Sequence, residues 1–383
     1  MRINKINIFK IVLSLKGDFS IAMRKTLNPR IIVVELIGNK DEISGYGEGI
    51  PIETATGETP ESTIDSIRRF INENRFPWDL NDISQVWDFV DAFPSGKKNN
   101  AAICAIELAL LDFLGKHQHT AVIDYFPKSY RADKIHYGAP VTLGDMERNI
   151  EICKWIKKIG INHVRIKMGK DFERNKNALE ATRRILGSGC ELRIDPNGVW
   201  NRDLAFKHLP VIETCKVNIV EEPMMRDEPG FPEFVRLLGS KDIILMACES
   251  APTLEDVKRI EAEGYYQMIN VKLCRSGGFR RSLAMIDEIR KGGLSFQIGC
   301  TLGESGILSA AGRTLCLLCG DAVNYDGSYD QFLLKENTTV EDVSFGAGGE
   351  AGPLNGFGLG VQVRTQDLLR LAGGHPALTI PRP

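Results

Sequence analysis

Between residues 163 and 198 the chain reads HVRIKMG (163–169) and then, after a helical stretch, ELRIDPNG (191–198). Each is a short run of apolar and β-branched residues. One ends on Lys167 and the other on Asp195, and Gly169 or Pro196 then breaks the run. The same design continues outward: YGAPVTL (137–143) before them, then NIVEEP (218–223), IILMACES (243–250), MINVKL (268–273), SFQIGC (295–300) and a weaker AVNYDG (322–327). The residues at the run ends, Lys167, Asp195, Glu221, Cys248, Lys272, Cys300 and Asp326, fall 24 to 28 residues apart. One strand and one helix per unit at a near-constant period is the pattern of parallel βα units. Eight such strands close into a barrel.

Upstream of the repeat no fixed period holds. IIVVELIG (31–38) is a strand by its β-branched run, and PESTIDSIRRFINENR (60–75) and NNAAICAIELALLDFLGK (99–116) have helical apolar spacing. The second helix is apolar on most faces and is expected to be buried. Downstream, VSFGAGGEAGPLNGFGLGVQV (343–363) is Gly-rich and ends strand-like, which suggests a return to the first domain. Its GFGLG lacks the strand–loop–helix context of a dinucleotide site.

The whole chain has 383 residues, 43% of them hydrophobic and 26% charged, so it can bury a large core. With 48 basic and 50 acidic residues it has no bulk attraction to nucleic acid or an anionic membrane. Neither is expected as a partner. No apolar run reaches the roughly 18 residues that span a bilayer. The start alternates apolar and polar residues around Lys5, Lys10 and Lys16, like a first strand and unlike a secretion signal. Nine scattered cysteines make no disulfide or zinc pattern; a reducing cytoplasm is the expected compartment.

In such a barrel the C-terminal strand ends line the active site, and residues two apart share a face. Arg165 therefore points with Lys167, and Asp195 with Asn197. Asp195 and Glu221 supply hard oxygen donors that suit Mg²⁺. A bound cation would neutralise the charge that develops when a proton leaves the carbon beside a carboxylate. Lys167 and Lys272, on strands 2 and 6, lie across the barrel, one placed to take a proton and the other to return it. A lysine base needs its pKa lowered from about 10.4 toward 7–8. Arg165 and a nearby metal are the expected causes.

At this point the sequence resembles the enolase superfamily, in its muconate-lactonizing branch and among the dipeptide epimerases. Arg165-Ile166-Lys167 is similar to the family's K-x-K, Asp195 in RIDPNG to its first metal aspartate, Glu221 in VEEP to its metal glutamate, and Lys272 in NVKLCRSGG to its second base. The loop from GYGEGIP to TGE (Gly45 to Glu58) resembles the epimerases' capping loop, and AAICAIELALLDFLGK the helix before their barrel. Arg24 matches an arginine that in some members holds an acidic substrate side chain. The resemblance implies a modified TIM barrel, (β/α)7β, with an N-terminal α+β capping domain completed by the tail. The expected divisions are residues 1–133, 134–340 and 341–383. It also implies a homo-oligomer acting on a small carboxylate, a dipeptide or N-substituted amino acid, by two-lysine proton transfer. A cycloisomerase or o-succinylbenzoate-type lyase is the alternative within the same chemistry.

Two departures stand out. The family's A-D-E-S is Ala247-Cys248-Glu249-Ser250 here, so a soft thiol replaces the third oxygen ligand. Three arrangements stay open: Mg²⁺ with water in the gap, Glu249 turned inward against strand alternation, or a softer ion such as Mn²⁺ or Zn²⁺. A degenerate barrel that only binds a ligand is the reading from another class. The family's D-x-D, which grips the substrate ammonium, is Asn324-Tyr325-Asp326 here. Cys300 and Glu304, in GCTLGES, are the remaining candidates for the pocket wall.

Overall fold

The repeat is realised as eight parallel strands. The computed structural model describes residues 1–16, 20–21, 24–25, 28–39, 43–73 and 75–383. Before the barrel come β1 (Ile3–Val12), a two-strand hairpin of β2 (Ser20–Ile21) and β3 (Arg24–Lys25), β4 (Arg30–Gly38), β5 (Ser44–Gly49), α1 (Pro60–Glu73), α2 (Ile83–Asp91) and α3 (Asn100–Gln118). A short β6 (Ile135–His136) leads into β7 (Ala139–Val141), α4 (Met146–Ile159), β8 (His163–Lys167), α5 (Phe172–Leu186), β9 (Glu191–Asp195), α6 (Arg202–Thr214), β10 (Ile219–Glu221) and α7 (Phe231–Gly239). Then follow β11 (Ile244–Ala247), α8 (Leu254–Glu263), β12 (Met268–Lys272), α9 (Leu273–Ser276), α10 (Gly278–Lys291), β13 (Ser295–Gly299), α11 (Gly306–Leu318) and β14 (Asn324–Tyr325). The tail carries α12 (Asp330–Leu333), β15 (Glu350–Ala351), α13 (Thr365–Leu371) and β16 (Leu378–Pro381).

Strands β7 to β14 are neighbours in sequence order. A parallel bridge between Tyr137 and Tyr325, with Gly138 N–H donating to Tyr325 C=O at 2.8 Å, joins the first strand to the last. The result is a (β/α)7β barrel. Its helices start on local signals: Asp145, Asp171, Asn201 and Thr253 each accept a first-turn backbone N–H at the head of α4, α5, α6 and α8. Each cap is worth about 1 kcal/mol.

Besides the barrel and two small two-stranded pairs, β2–β3 and β6–β15, there is a four-stranded antiparallel sheet in the order β16-β1-β4-β5, so the chain's last strand pairs with its first. Helix α3 is buried along nearly its whole length and lies directly on β5. The glycines of GYGEG allow this. A Cβ on Gly45, Gly47 or Gly49 would come within 2.5, 2.0 or 2.2 Å of an α3 carbonyl oxygen. These three share one face by strand alternation, so any side chain there would lift the helix off. No helix among the described residues is long and apolar enough to cross a membrane.

Candidate active site

Lys167, Asp195, Glu221 and Lys272 are the last residues of β8, β9, β10 and β12, and Cys248, Cys300 and Asp326 directly follow β11, β13 and β14. The mouth of the barrel thus collects all seven run ends. Strands β8 and β12 are four apart in a closed ring of eight, which puts the two lysines on opposite walls. Lys167 Nζ is ion-paired with Asp195 and donates to Asn197 Oδ1 at 2.9 Å. Asn197 passes the connection on, its Nδ2 donating to Glu249 Oε1 at 3.1 Å. Asn197 has φ +52°, a left-handed conformation that asparagine tolerates better than most residues.

Lys272 differs. Among the described residues nothing hydrogen-bonds its Nζ, though Cys248, Glu249 and Glu221 surround it. Burial pushes its pKa down, but the carboxylates of Glu249 and Glu221, working against Arg275, hold it above the ordinary lysine range. The expected lowering is therefore not present at Lys272, because two acids crowd the ammonium.

The acids of the mouth are held by cations. Glu221 sits between Arg193 Nε at 3.2 Å and Asn270 Nδ2 at 2.8 Å. Burial opposes its ionisation, yet Arg193, Arg165 and the lysines hold it far below the usual carboxylate range. Asp326 lies between Arg165 Nη1 at 3.1 Å and the Arg193 guanidinium, and is likewise held low against its burial. Asp195 goes the other way, raised by burial and by the neighbouring Glu221 despite Lys167. Cys248 lies under Arg275, whose Nη1 is 3.0 Å from Sγ. Burial nonetheless pushes its thiol far up, so the sulfur stays protonated.

Glu249 points into this cluster, one of the three arrangements left open, although strand alternation alone would aim it away. Strand β11 ends at Ala247, and a turn follows, with Ala251 N–H donating to Cys248 C=O at 3.2 Å. Glu222 holds that turn. Its Oε1 accepts the N–H groups of Cys248 at 2.7 Å and Ser250 at 2.8 Å, and its Oε2 the Ser250 hydroxyl at 3.1 Å. The period of two does not extend past the strand, so Glu249 turns in.

Cys300 and Glu304 line a pocket together with Arg165 and Lys167. Burial raises the Glu304 carboxyl to about 8. Asn324 is not in the mouth. Its Nδ2 donates to Glu191 Oε1 at 2.8 Å, at the first residue of β9, toward the opposite end of the barrel. The side chain of Arg24, expected to touch substrate, lies outside the described residues. Arg193, Asn270, Arg275 and Glu222 are the residues that sequence reasoning passed over. Arg193 stands two before Asp195 and Asn270 two before Lys272, so the same-face rule that paired Arg165 with Lys167 would have found both.

For a divalent cation the donors are unequal. Glu221 Oε2 and Glu249 Oε2 are buried without a hydrogen bond among the described residues. With Asp195 they are oxygen donors of the kind a hard cation takes. The protonated thiol of Cys248, covered by Arg275, is not one. Among the described residues no three acidic, histidine or cysteine side chains are grouped closely enough to hold a metal ion; Lys167 is paired with Asp195 and Arg193 with Glu221.

Residues 4–126 match the family described as mandelate racemase / muconate lactonizing enzyme, N-terminal domain, and residues 130–368 match the enolase C-terminal domain-like family. The chain is 26% identical to a hydrophobic dipeptide epimerase of Enterococcus faecalis over 97% of both chains. It is 25% identical to an N-succinyl-L-Arg/Lys racemase of Bacillus cereus over 82% of this chain and 83% of that one. The crystal structure of a B. cereus N-succinyl Arg/Lys racemase superposes with TM-score 0.85 at 20% identity over all of both chains. That of the E. faecalis epimerase with Mg and L-Leu-L-Tyr superposes with TM-score 0.81 at 23% identity, over 94% of this chain and 100% of that one. The chain belongs to the mandelate racemase/muconate lactonizing enzyme family of the enolase superfamily and is an isomerase-class enzyme, dipeptide-epimerase-like in sequence.

Proposed function

We propose that the enzyme inverts the α-carbon of a small carboxylate, a dipeptide or N-substituted amino acid, with Lys167 serving one face of that carbon and Lys272 the other. The observation that carries this reading is the placement of two lysines on opposite walls of the barrel mouth, with Asp195, Glu221 and Glu249 between them. An inversion needs a proton removed on one side and returned on the other; a one-base elimination or cycloisomerisation needs only one of the two. Asn197 keeps Lys167 oriented through its 2.9 Å contact. Arg193 keeps the Glu221 and Asp326 side chains in place.

Asp195, Glu221 and Glu249 are the residues that would hold a divalent cation, Mg²⁺ or Mn²⁺, with Cys248 left out. Such an ion, when bound, supplies positive charge to the substrate carboxylate as the enediolate forms. The test is α-proton exchange in D₂O with pooled dipeptides and N-acyl amino acids, with Mg²⁺ or Mn²⁺ added. A gain of one deuterium together with appearance of the opposite configuration is expected. Exchange without inversion would replace this reading with one-base chemistry.

A further inference from the structure

The loop that follows Lys167 is gripped by a buried polar cluster of α5 and α6. Strand β8 ends at Lys167, α5 begins at Phe172, and Gly169 lies between them. One side chain of α5 holds both polar groups of Gly169. The Gly169 N–H donates to Asn175 Oδ1 at 2.8 Å, and the Gly169 C=O accepts from Asn175 Nδ2 at 2.8 Å. The same C=O accepts from Trp200 Nε1 at 2.9 Å. Trp200 stands three residues after Asn197, whose Oδ1 accepts from Lys167 Nζ. The loop after Lys167 and the loop that carries its partner are therefore tied together at one carbonyl.

His208, from α6, closes the cluster. It is 1% exposed, and its ring lies on the Trp200 indole with centroids 4.1 Å apart and planes 10° from parallel. Its Nδ1 faces the Leu204 C=O at 2.7 Å, and its Nε2 faces Asn175 Nδ2 at 3.2 Å. These contacts settle the tautomer. A carbonyl only accepts, so Nδ1 carries the hydrogen. The Gly169 N–H fixes Asn175 with its oxygen toward the loop, so the amide nitrogen donates and Nε2 is bare. Burial holds the ring's pKa below its ordinary 6.5, in keeping with a neutral imidazole. One hydrogen of Asn175 Nδ2 thus goes to Gly169 and the other to His208. Without the ring nitrogen that second hydrogen is buried and unpaired, and the amide gains by leaving the geometry that grips Gly169.

We propose that His208 is a positioning residue for Lys167, a neutral acceptor that sets Asn175 and, through it, the Gly169 loop behind the base. The proposal rests on the reading of Lys167 as one of two bases, and it makes the two bases unequal. Lys272, at the end of β12 on the opposite wall, takes no part in these bonds.

Two variants test this. His208→Phe keeps an aromatic ring against Trp200 and removes the acceptor; His208→Gln supplies an acceptor again. α-Proton exchange in D₂O, with Mg²⁺ or Mn²⁺ added, is followed from each configuration of those pooled dipeptides and N-acyl amino acids that exchange. In His208→Phe, exchange from the configuration served by Lys167 should slow about tenfold, with the other within about twofold of wild type. His208→Gln should recover most of the loss. In a Lys167→Ala background, His208→Phe should leave the remaining exchange unchanged. Equal slowing from both configurations would make His208 a support of the fold and overturn the proposal, and so would no slowing from either.

Backbone hydrogen exchange of the full chain, read by mass spectrometry, needs no turnover. Peptides covering residues 166–171 should take up deuterium faster in His208→Phe than in wild type or His208→Gln, and peptides covering 268–274 should not. That result in a protein without α-proton exchange keeps the clamp on the Lys167 loop and removes the two-base reading. Unchanged uptake at 166–171 overturns the proposal whatever the turnover. Where His208→Phe does not fold, His208→Leu, which likewise lacks the acceptor, replaces it in both measurements.

Discussion

Two clusters of buried acids in this molecule are held in different ways. At the barrel mouth Glu221, Asp326 and Glu249 are held below the ordinary carboxylate range, because guanidinium or ammonium groups stand against them, whereas Asp195, crowded by Glu221, and the deeply buried Glu304 are raised. At the seam between the capping sheet and the barrel, Glu48, Glu58 and Glu107 are all raised, Glu48 to about 7 and Glu107 to about 8. The seam acids meet helix N-termini instead of cations. Glu48 accepts the Ser305 N–H at 2.9 Å at the head of α11, Glu58 the Ala101 N–H at 3.0 Å at the head of α3, and Glu107 the Arg280 N–H at 2.9 Å in the first turn of α10. A helix N-terminus contributes about 0.3–2 kcal/mol to a carboxylate, whereas burial costs several. Only full cations reverse that balance. The seam acids fasten two layers together, and the mouth acids form a charged cluster that chemistry can use.

The strongest way to break this comparison is to remove the mouth's lysines. Lys167→Ala and Lys272→Ala are each expected to lower inversion by about 10²–10⁴-fold. Exchange followed separately from the two configurations assigns the faces. Each variant should keep some exchange from one configuration and lose it from the other. If both variants retain wild-type inversion, the mouth cluster is structural, like the seam.

Asn197 sharpens the comparison one step lower, since it is the bridge between Lys167 and Glu249. Asn197→Ala removes two hydrogen bonds to charged groups and puts alanine at φ +52°. Activity should fall about 10–100-fold, with a stability loss of about 2–4 kcal/mol measured by denaturant unfolding. An unchanged activity would mean that Lys167 is oriented by Asp195 alone.

Cys248→Asp tests what the mouth lacks. The carboxylate would pair with Arg275 and add a hard oxygen beside Glu221. Mn²⁺ affinity, read by calorimetry or by the spectrum of the ion, should rise about tenfold. Glu249→Gln should lower it. If Glu249→Gln has no effect on affinity, the orphaned oxygen of Glu249 is not a ligand.

How much of this could be read beforehand follows from the range of the forces involved. The βα repeat was legible because period, β-branching and breakers are local, and the same locality marked the charged strand ends. The turn that brings Glu249 inward was not. It is held by Glu222 from the neighbouring strand, and no spacing rule links residues 222 and 248–250. The glycines of GYGEG could be noticed as a motif, but their role needed the position of α3. Asp326 reads from the sequence as an ammonium contact, yet its capture by Arg165 and Arg193 depends on three strands meeting across the barrel. Arg193 lies within reach of the same-face rule, two residues before Asp195.

The smallest effect is expected at the seam, and its sign can be worked out. Glu107 titrates near 8 in the folded chain against an ordinary 4.5. A raised carboxyl means that the folded state binds its proton more tightly, so the contribution to stability is complete below about 4.5 and is lost as pH rises toward 8. Glu107→Gln removes that titration and keeps an acceptor for the Arg280 N–H. The full shift corresponds to about 4–5 kcal/mol. However, Glu107 Oε2 has no hydrogen-bond partner among the described residues, and an amide NH₂ in its place inherits that deficit. The net gain at pH 8 should therefore be about 1–2 kcal/mol, turning into a net loss at pH 5, where the deficit remains and the titration contributes under about 1 kcal/mol. Unfolding curves across that range should fall for the wild type and flatten for the variant. Parallel curves would show that the pH dependence belongs to other groups, and would remove Glu107 from the contrast between an acid held by a helix end and one held by a cation.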